Sequence, residues 1–102
     1  MLYLRRVTGD SMAPTLTEGR VVLLMRPYRV PRRGDVVMLR HAGLEKLKRI
    51  TAVSSRLDKL YVEGDNEAQS TDSRHFGWLP RTAITGIVIW PRNRTARQKS
   101  PK

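Results

Sequence analysis

Residues 21–25, Val-Val-Leu-Leu-Met, are a continuous apolar run of five. Five residues are too few for a helix, and a run rich in Val and Leu predicts a strand buried on both faces. The other apolar stretches are equally short. Leu2 to Val7 is a strand-like run, with Leu2, Leu4 and Val7 as its apolar members. Pro27 and Pro31 bracket a basic loop from Arg26 to Arg33, Gly34-Asp35 marks a turn, and Val36 to Arg40 is a strand. His41 to Gly43 predicts a hairpin turn into a long strand, Leu44 to Ser54, in which Leu47 lies between Lys46 and Lys48. Leu60 to Val62 and Ala83 to Trp90 are further strands, the last with Gly86 as a bulge or close-approach point. No amphipathic helix of three turns is legible. The pattern predicts an all-β fold in which coiled antiparallel sheets form a small sandwich or barrel.

A chain of 102 residues is expected to hold one domain, and 39% hydrophobic content is enough for a globular body. Residues 1–91 read as that domain, and 92–102 as a basic, disordered tail. With no cysteine there is no disulfide or thiolate metal site, and two histidines are too few for a metal centre. Neither a metal nor a cofactor is expected. No apolar run approaches the roughly 20 residues that span a bilayer, and Met1 to Arg6 has no signal-peptide core. These features predict a cytoplasmic chain without a transmembrane segment, or one held at a membrane by a partner. Net charge is +11, and five of those charges fall in the tail at Arg92, Arg94, Arg97, Lys99 and Lys102. Such charge favours nonspecific attraction to polyanions. No basic-aromatic motif of a nucleic-acid module accompanies it, so no specific nucleic-acid partner is expected. A non-enzymatic basic β-domain that binds nucleic acid is the alternative this charge supports.

Three segments carry reactive groups. Gly9 to Gly19 reads G-D-S-M-A-P-T-L-T-E-G. Gly9 allows a close approach to Ser11, and Pro14 stiffens the chain just after it. The segment is either a rigid turn that displays Ser11, with Gly9, Met12 and Pro14 next to a substrate, or the cap of a short helix. A serine hydroxyl needs a base to become a nucleophile. His41 in a hairpin turn and His75 between Arg74 and Phe76 are poorly placed for that role, whereas Ser-Lys dyads are a recognised alternative. Lys48 lies mid-strand beside apolar residues and another cation, which depresses a lysine pKa. Lys46 shares its strand face and competes. Both have an ordinary reading as the solvated face of an edge strand. The third segment, Gly64 to Gly77, has no hydrophobic periodicity and reads as a long functional loop. In it Ser70 suits the orienting of a lysine amine, and Asp72 and Arg74 suit a bracing ion pair. Its ligand spacing does not match an EF-hand.

Taken together the segments resemble the type I signal peptidase family. Its serine box is matched by Gly9-Asp10-Ser11-Met12-Ala13-Pro14-Thr15-Leu16 and Gly19. Its Gly-Asp-hydrophobic strand is matched by Gly34-Asp35-Val36-Val37, and its lysine box by Lys48-Arg49-Ile50. Its last box is matched by Gly64-Asp65-Asn66, Ser70, Asp72-Ser73-Arg74 and Gly77. The boxes occur in order over about residues 7 to 90. The resemblance implies a serine endopeptidase with Ser11 as nucleophile and Lys48, not Lys46, as general base. It implies Ser70 as the group that orients the lysine, Asp72 and Arg74 as the brace, and the Ser11 backbone N–H as an oxyanion donor. Gly9 stands where some members have a serine that supplies a second donor. Arg20 and Glu67 also depart from the family pattern. The compact form is most similar to the short nickel-type superoxide dismutase maturation proteases. That narrower resemblance implies removal of an N-terminal propeptide from a protein precursor, such as a nickel superoxide dismutase. A signal peptidase that acts with a membrane partner is the neighbouring alternative.

Overall fold

The computed structural model describes residues 1–92, so the expected tail lies almost wholly outside the described residues. The strands are β1 (Leu2–Arg6), β2 (Val21–Met25), β3 (Val36–His41), β4 (Leu44–Val53), β5 (Lys59–Glu63), β6 (Leu79–Pro80) and β7 (Ile84–Trp90). All but the two-residue β6 match the apolar runs to within a residue or two. Two elements were not legible in the loop after β5. One is a 3-10 turn, Glu67–Gln69, and the other is α1, the single-turn helix Ser73–Phe76.

The strands join in one antiparallel sheet of order β1-β2-β7-β3-β4-β5-β6. Pro80 and Ile84 are four residues apart in the chain, so they lie within about 14 Å of each other. In the sheet, β6 and β7 are separated by β3, β4 and β5, and four strand spacings amount to about 19 Å. A flat sheet cannot meet both conditions, so the part from β7 to β6 coils around one of its faces. β4 makes this possible. Its residues Leu44 to Arg49 pair with β3, while Arg49 to Val53 pair with β5 across a register shift between Ile50 and Ala52.

The coiled face encloses one core, built from Val37, Leu39, Ile50, Leu60, Val62, Leu79, Ile84 and Ile87. A second core lies on the opposite face of β3, where Val36 and Met38 meet Val22 and Leu24 of β2 with Val7, Met12 and Leu16. Strand alternation therefore sends neighbouring β3 residues into different cores, which explains its unbroken apolar sequence. β2 differs: Val22 and Leu24 are fully buried, whereas Val21, Leu23 and Met25 are only half-buried.

Gly86 confirms the expected close approach. A Cβ there would overlap the Tyr3 hydroxyl, which donates a 3.0 Å hydrogen bond to the Thr85 carbonyl. The pairing of β3 with β7 also shifts register at this point. Gly86→Ala is expected to lower stability by about 2 kcal/mol through overpacking. In a Tyr3→Ala background most of that loss should vanish, because the clashing group is gone. Denaturant unfolding of the four proteins measures the coupling, and equal losses in both backgrounds would contradict this packing.

Candidate active site

The Ser11 segment is a chain of turns, not the start of a helix. Its ends are pinned where the Val7 N–H donates to the Arg20 carbonyl at 2.7 Å and the Gly19 N–H donates to the Val7 carbonyl at 2.9 Å. Within it the Leu16 N–H reaches the Met12 carbonyl at 2.9 Å. Met12 and Leu16 are buried in the second core and anchor the turn from below. The helix-cap reading fails because no helix follows Ser11. Gly9 has φ +78° with open space beside it, so the chain bends there through a conformation that suits glycine. Pro14 is exposed and Ser11 half-buried.

The turn is tied to the loop after β5, because the Asn66 N–H donates to the Ser11 carbonyl at 2.8 Å. Gly64 makes that contact possible. A Cβ at this position would lie 2.6 Å from the Ser11 carbonyl oxygen and would overlap the Ser70 side chain. This close approach was invisible in the sequence, where Gly64 read only as the start of a long loop. The aspartates of both Gly-Asp pairs do more than turn the chain. Asp65 forms a two-pronged ion pair with buried Arg49, at 2.9 and 2.7 Å. Buried Asp35 forms another with Arg29, at 2.9 and 3.2 Å. Each fastens a loop to the sheet at a strand end.

Lys48 is buried on β4, and its amine donates to Ser70 Oγ at 2.9 Å. Ser70 Oγ lies 2.6 Å from Asp72 Oδ2 and donates to it. A hydroxyl has one proton, so this bond leaves Ser70 as the acceptor from Lys48. Asp72 is fully buried and takes further bonds from the Gly64 N–H at 2.7 Å and from Arg74 Nε and Nη2 at 3.0 and 2.6 Å. It also caps α1, accepting the Arg74 N–H at 3.1 Å, while its own N–H donates to His75 Nδ1 at 3.3 Å. His75 is thus a capping residue, in keeping with a structural role. Lys46 is drawn elsewhere. Its amine lies 3.5 Å from His41 Nδ1 and 5.3 Å from the Phe76 ring centre, and His41 stacks on the same ring.

The electrostatics follow from this arrangement. Burial opposes the Asp72 charge. The bonds from Arg74, Ser70 and Gly64 nevertheless hold its carboxyl well below the usual carboxylate range. Arg74 is pushed up, chiefly by its bond to Asp72. Burial pushes the Lys48 amine down from its ordinary value, against the pull of Asp72 and with help from Lys46 and Arg74.

Ser11 and Lys48 line one groove of about 350 Å³. Its walls are the end of β1 and the residues that follow it, from Arg5 to Thr8, and the first half of β4, from Glu45 to Lys48. β1 pairs only with β2, and β4 before Arg49 pairs only with β3. Two unpaired strand edges therefore border the groove among the described residues. No hydrogen bond joins Ser11 to Lys48 among those residues; the link between them is the shared groove.

The chain belongs to the Peptidase S24-like family, whose pattern matches residues 1–89. It is 32% identical to mitochondrial inner membrane protease subunit 1 of Mus musculus, over 82% of this chain and 67% of the relative. It is 30% identical to the Arabidopsis thaliana mitochondrial ATP-independent inner membrane protease subunit 1b, over 80% of this chain and 64% of the relative. It thus spans just under two thirds of the length of the Arabidopsis protein. These findings support a signal-peptidase-like family. They add nothing for the nickel-type dismutase proteases. They do overturn the cytoplasmic expectation, because the relatives are named as inner membrane proteins. That expectation rested on the missing membrane span. No helix among the described residues is long and apolar enough to cross a membrane, and such an absence does not locate a protein.

A lysine whose pKa is lowered by folding is less stable in its charged form. The native state then loses stability as pH falls from the unfolded lysine value, near 10.4, through the lowered folded value. Lys48→Met is therefore expected to fold and to exceed the parent in stability near neutral pH. The advantage should shrink as pH rises towards 10.4. Unfolding at several pH values measures this, and a Met variant less stable at every pH would contradict the electrostatics.

Proposed function

We propose that the chain is the catalytic part of a Ser-Lys endopeptidase that removes an N-terminal extension from another protein. The observation that supports this most is the bonded series Arg74–Asp72–Ser70–Lys48, which ends in the groove that holds Ser11. The series holds a buried amine in one orientation without giving it a direct carboxylate partner. A carboxylate bonded to Lys48 would keep it protonated. Ser70 separates the two, and burial then favours the neutral amine.

In the proposed reaction a peptide enters the groove as an extended strand and pairs with the free edges of β1 and β4. Neutral Lys48 takes the proton from Ser11 Oγ as the oxygen attacks the scissile carbonyl. The developing oxyanion is stabilised by the Ser11 N–H, which makes no hydrogen bond among the described residues. Lys48 passes its proton to the leaving amine, and an ester to Ser11 remains. Water, deprotonated by Lys48, then releases the acid and restores Ser11.

The names of the relatives suggest that this chemistry serves a subunit of a membrane-associated protease. The alternative reading as a nucleic-acid-binding domain rests on net charge alone, and it gives no role to the buried series. Ser11→Ala and Lys48→Ala are each expected to lower cleavage of a precursor by about 10⁴-fold or more. Lys46→Ala should lower it by no more than about tenfold. Turnover in a purified precursor assay tests this, and full activity in the Lys48 variant would sink the assignment.

A further inference from the structure

The groove carries charge that its own walls do not neutralise. Glu45 is already engaged, with Arg5 Nε at 3.1 Å across the groove and Arg40 at 4.0 Å. Two cations on opposite walls have no such partner. Arg6, at the end of β1, donates only to the Gly19 carbonyl, at 2.8 Å, and keeps its charge exposed. Lys46, on β4, meets only the His41 ring nitrogen and the face of Phe76. Among the described residues neither has a carboxylate within ion-pair distance. Lys46 is two residues from Lys48 on the same face of β4, a separation of about 7 Å. A peptide strand lying along β4 presents side chains with the same two-residue period, so a residue two positions from the scissile bond would come level with Lys46.

We infer that the groove selects substrates with an Asp or Glu within about two residues of the scissile bond, and that Lys46 and Arg6 are the residues that recognise it. This rests on the Ser-Lys reading of the groove. Charge at the rim of a binding site acts mainly through encounter and selection among partners. Each such pair, still open to water, contributes modestly and is screened by salt. Two of them together are expected to favour an acidic peptide by roughly three- to tenfold over a neutral one. The favoured residue also avoids like-charge repulsion, which a Lys-bearing peptide would meet at both walls.

The test uses the full chain with Ser11→Ala, so that binding is read without cleavage. Fluorescein-labelled decapeptides are varied one position at a time to Asp, Ser or Lys, and Kd is measured by anisotropy at low salt and at about 0.5 M salt. The expected result is tightest binding for Asp at one or two positions, with the preference reduced in high salt. Adding Lys46→Glu or Arg6→Glu should abolish or reverse it. Arg56→Glu makes the same change of net charge at an exposed turn far along the sequence and should leave the positional preference intact. Equal effects of all three reversals would show general attraction to a basic protein and overturn the inference, as would binding indifferent to peptide charge or no binding. Parallel cleavage assays with Ser11 intact separate the two readings. Charge-selective binding without cleavage of any peptide would count against the Ser-Lys reading while leaving the selection standing.

Discussion

The site depends on the buried carboxylate of Asp72. It joins three pieces of chain: the end of β5 through the Gly64 N–H, the start of α1 through Arg74, and the β4 lysine through Ser70. An ionised carboxylate with no contact to water is costly unless charge and hydrogen bonds replace its hydration. Here the donors that meet it are backbone N–H groups, the two-pronged Arg74 and the Ser70 hydroxyl. The pairing therefore defines the loop as much as it stabilises it. If the carboxylate were lost, Ser70 would have no reason to turn its proton away from Lys48.

The same ion pair helps a buried lysine sit beside a buried aspartate with its pKa still lowered. Asp72 pulls the Lys48 pKa up, but Arg74 and Lys46 push it down, and desolvation remains as the largest influence. The fold supplies that desolvation by burying Lys48 on β4. Lys46 lacks that treatment. It lies two residues nearer the β3–β4 hairpin, half-buried over Phe76, and so stays at the rim of the groove.

Much of this was legible in the sequence. The short apolar runs gave the strands because each had to cross a core once and then turn. Ser11, Lys48, Ser70, Asp72 and Arg74 stood out because their residue types and order match a family pattern. Alternation could not separate Lys46 from Lys48, since both face the same side of β4; burial separates them, and burial is tertiary. The role of Gly64 depends on how close two distant loops come, which no local pattern records. α1 was missed because one helical turn is too short to show a hydrophobic period, and its cap pairs Asp72 with His75 where a Glu or Gln would have been recognised. The cytoplasmic expectation failed because it was drawn from a missing apolar run, and such an absence says nothing about where a β-domain works.

The central claim is that Lys48 acts as the base for Ser11. The most direct measurement follows the Lys48 side chain by NMR in protein with isotope-labelled lysine. Alongside it, the rate at which a fluorophosphonate probe labels Ser11 is recorded across the same pH range. The account predicts that Lys48 titrates below the ordinary lysine value, and that Ser11 labelling rises with pH along the same curve. A Lys48 that titrates at the ordinary value, or labelling that does not follow its titration, would contradict it.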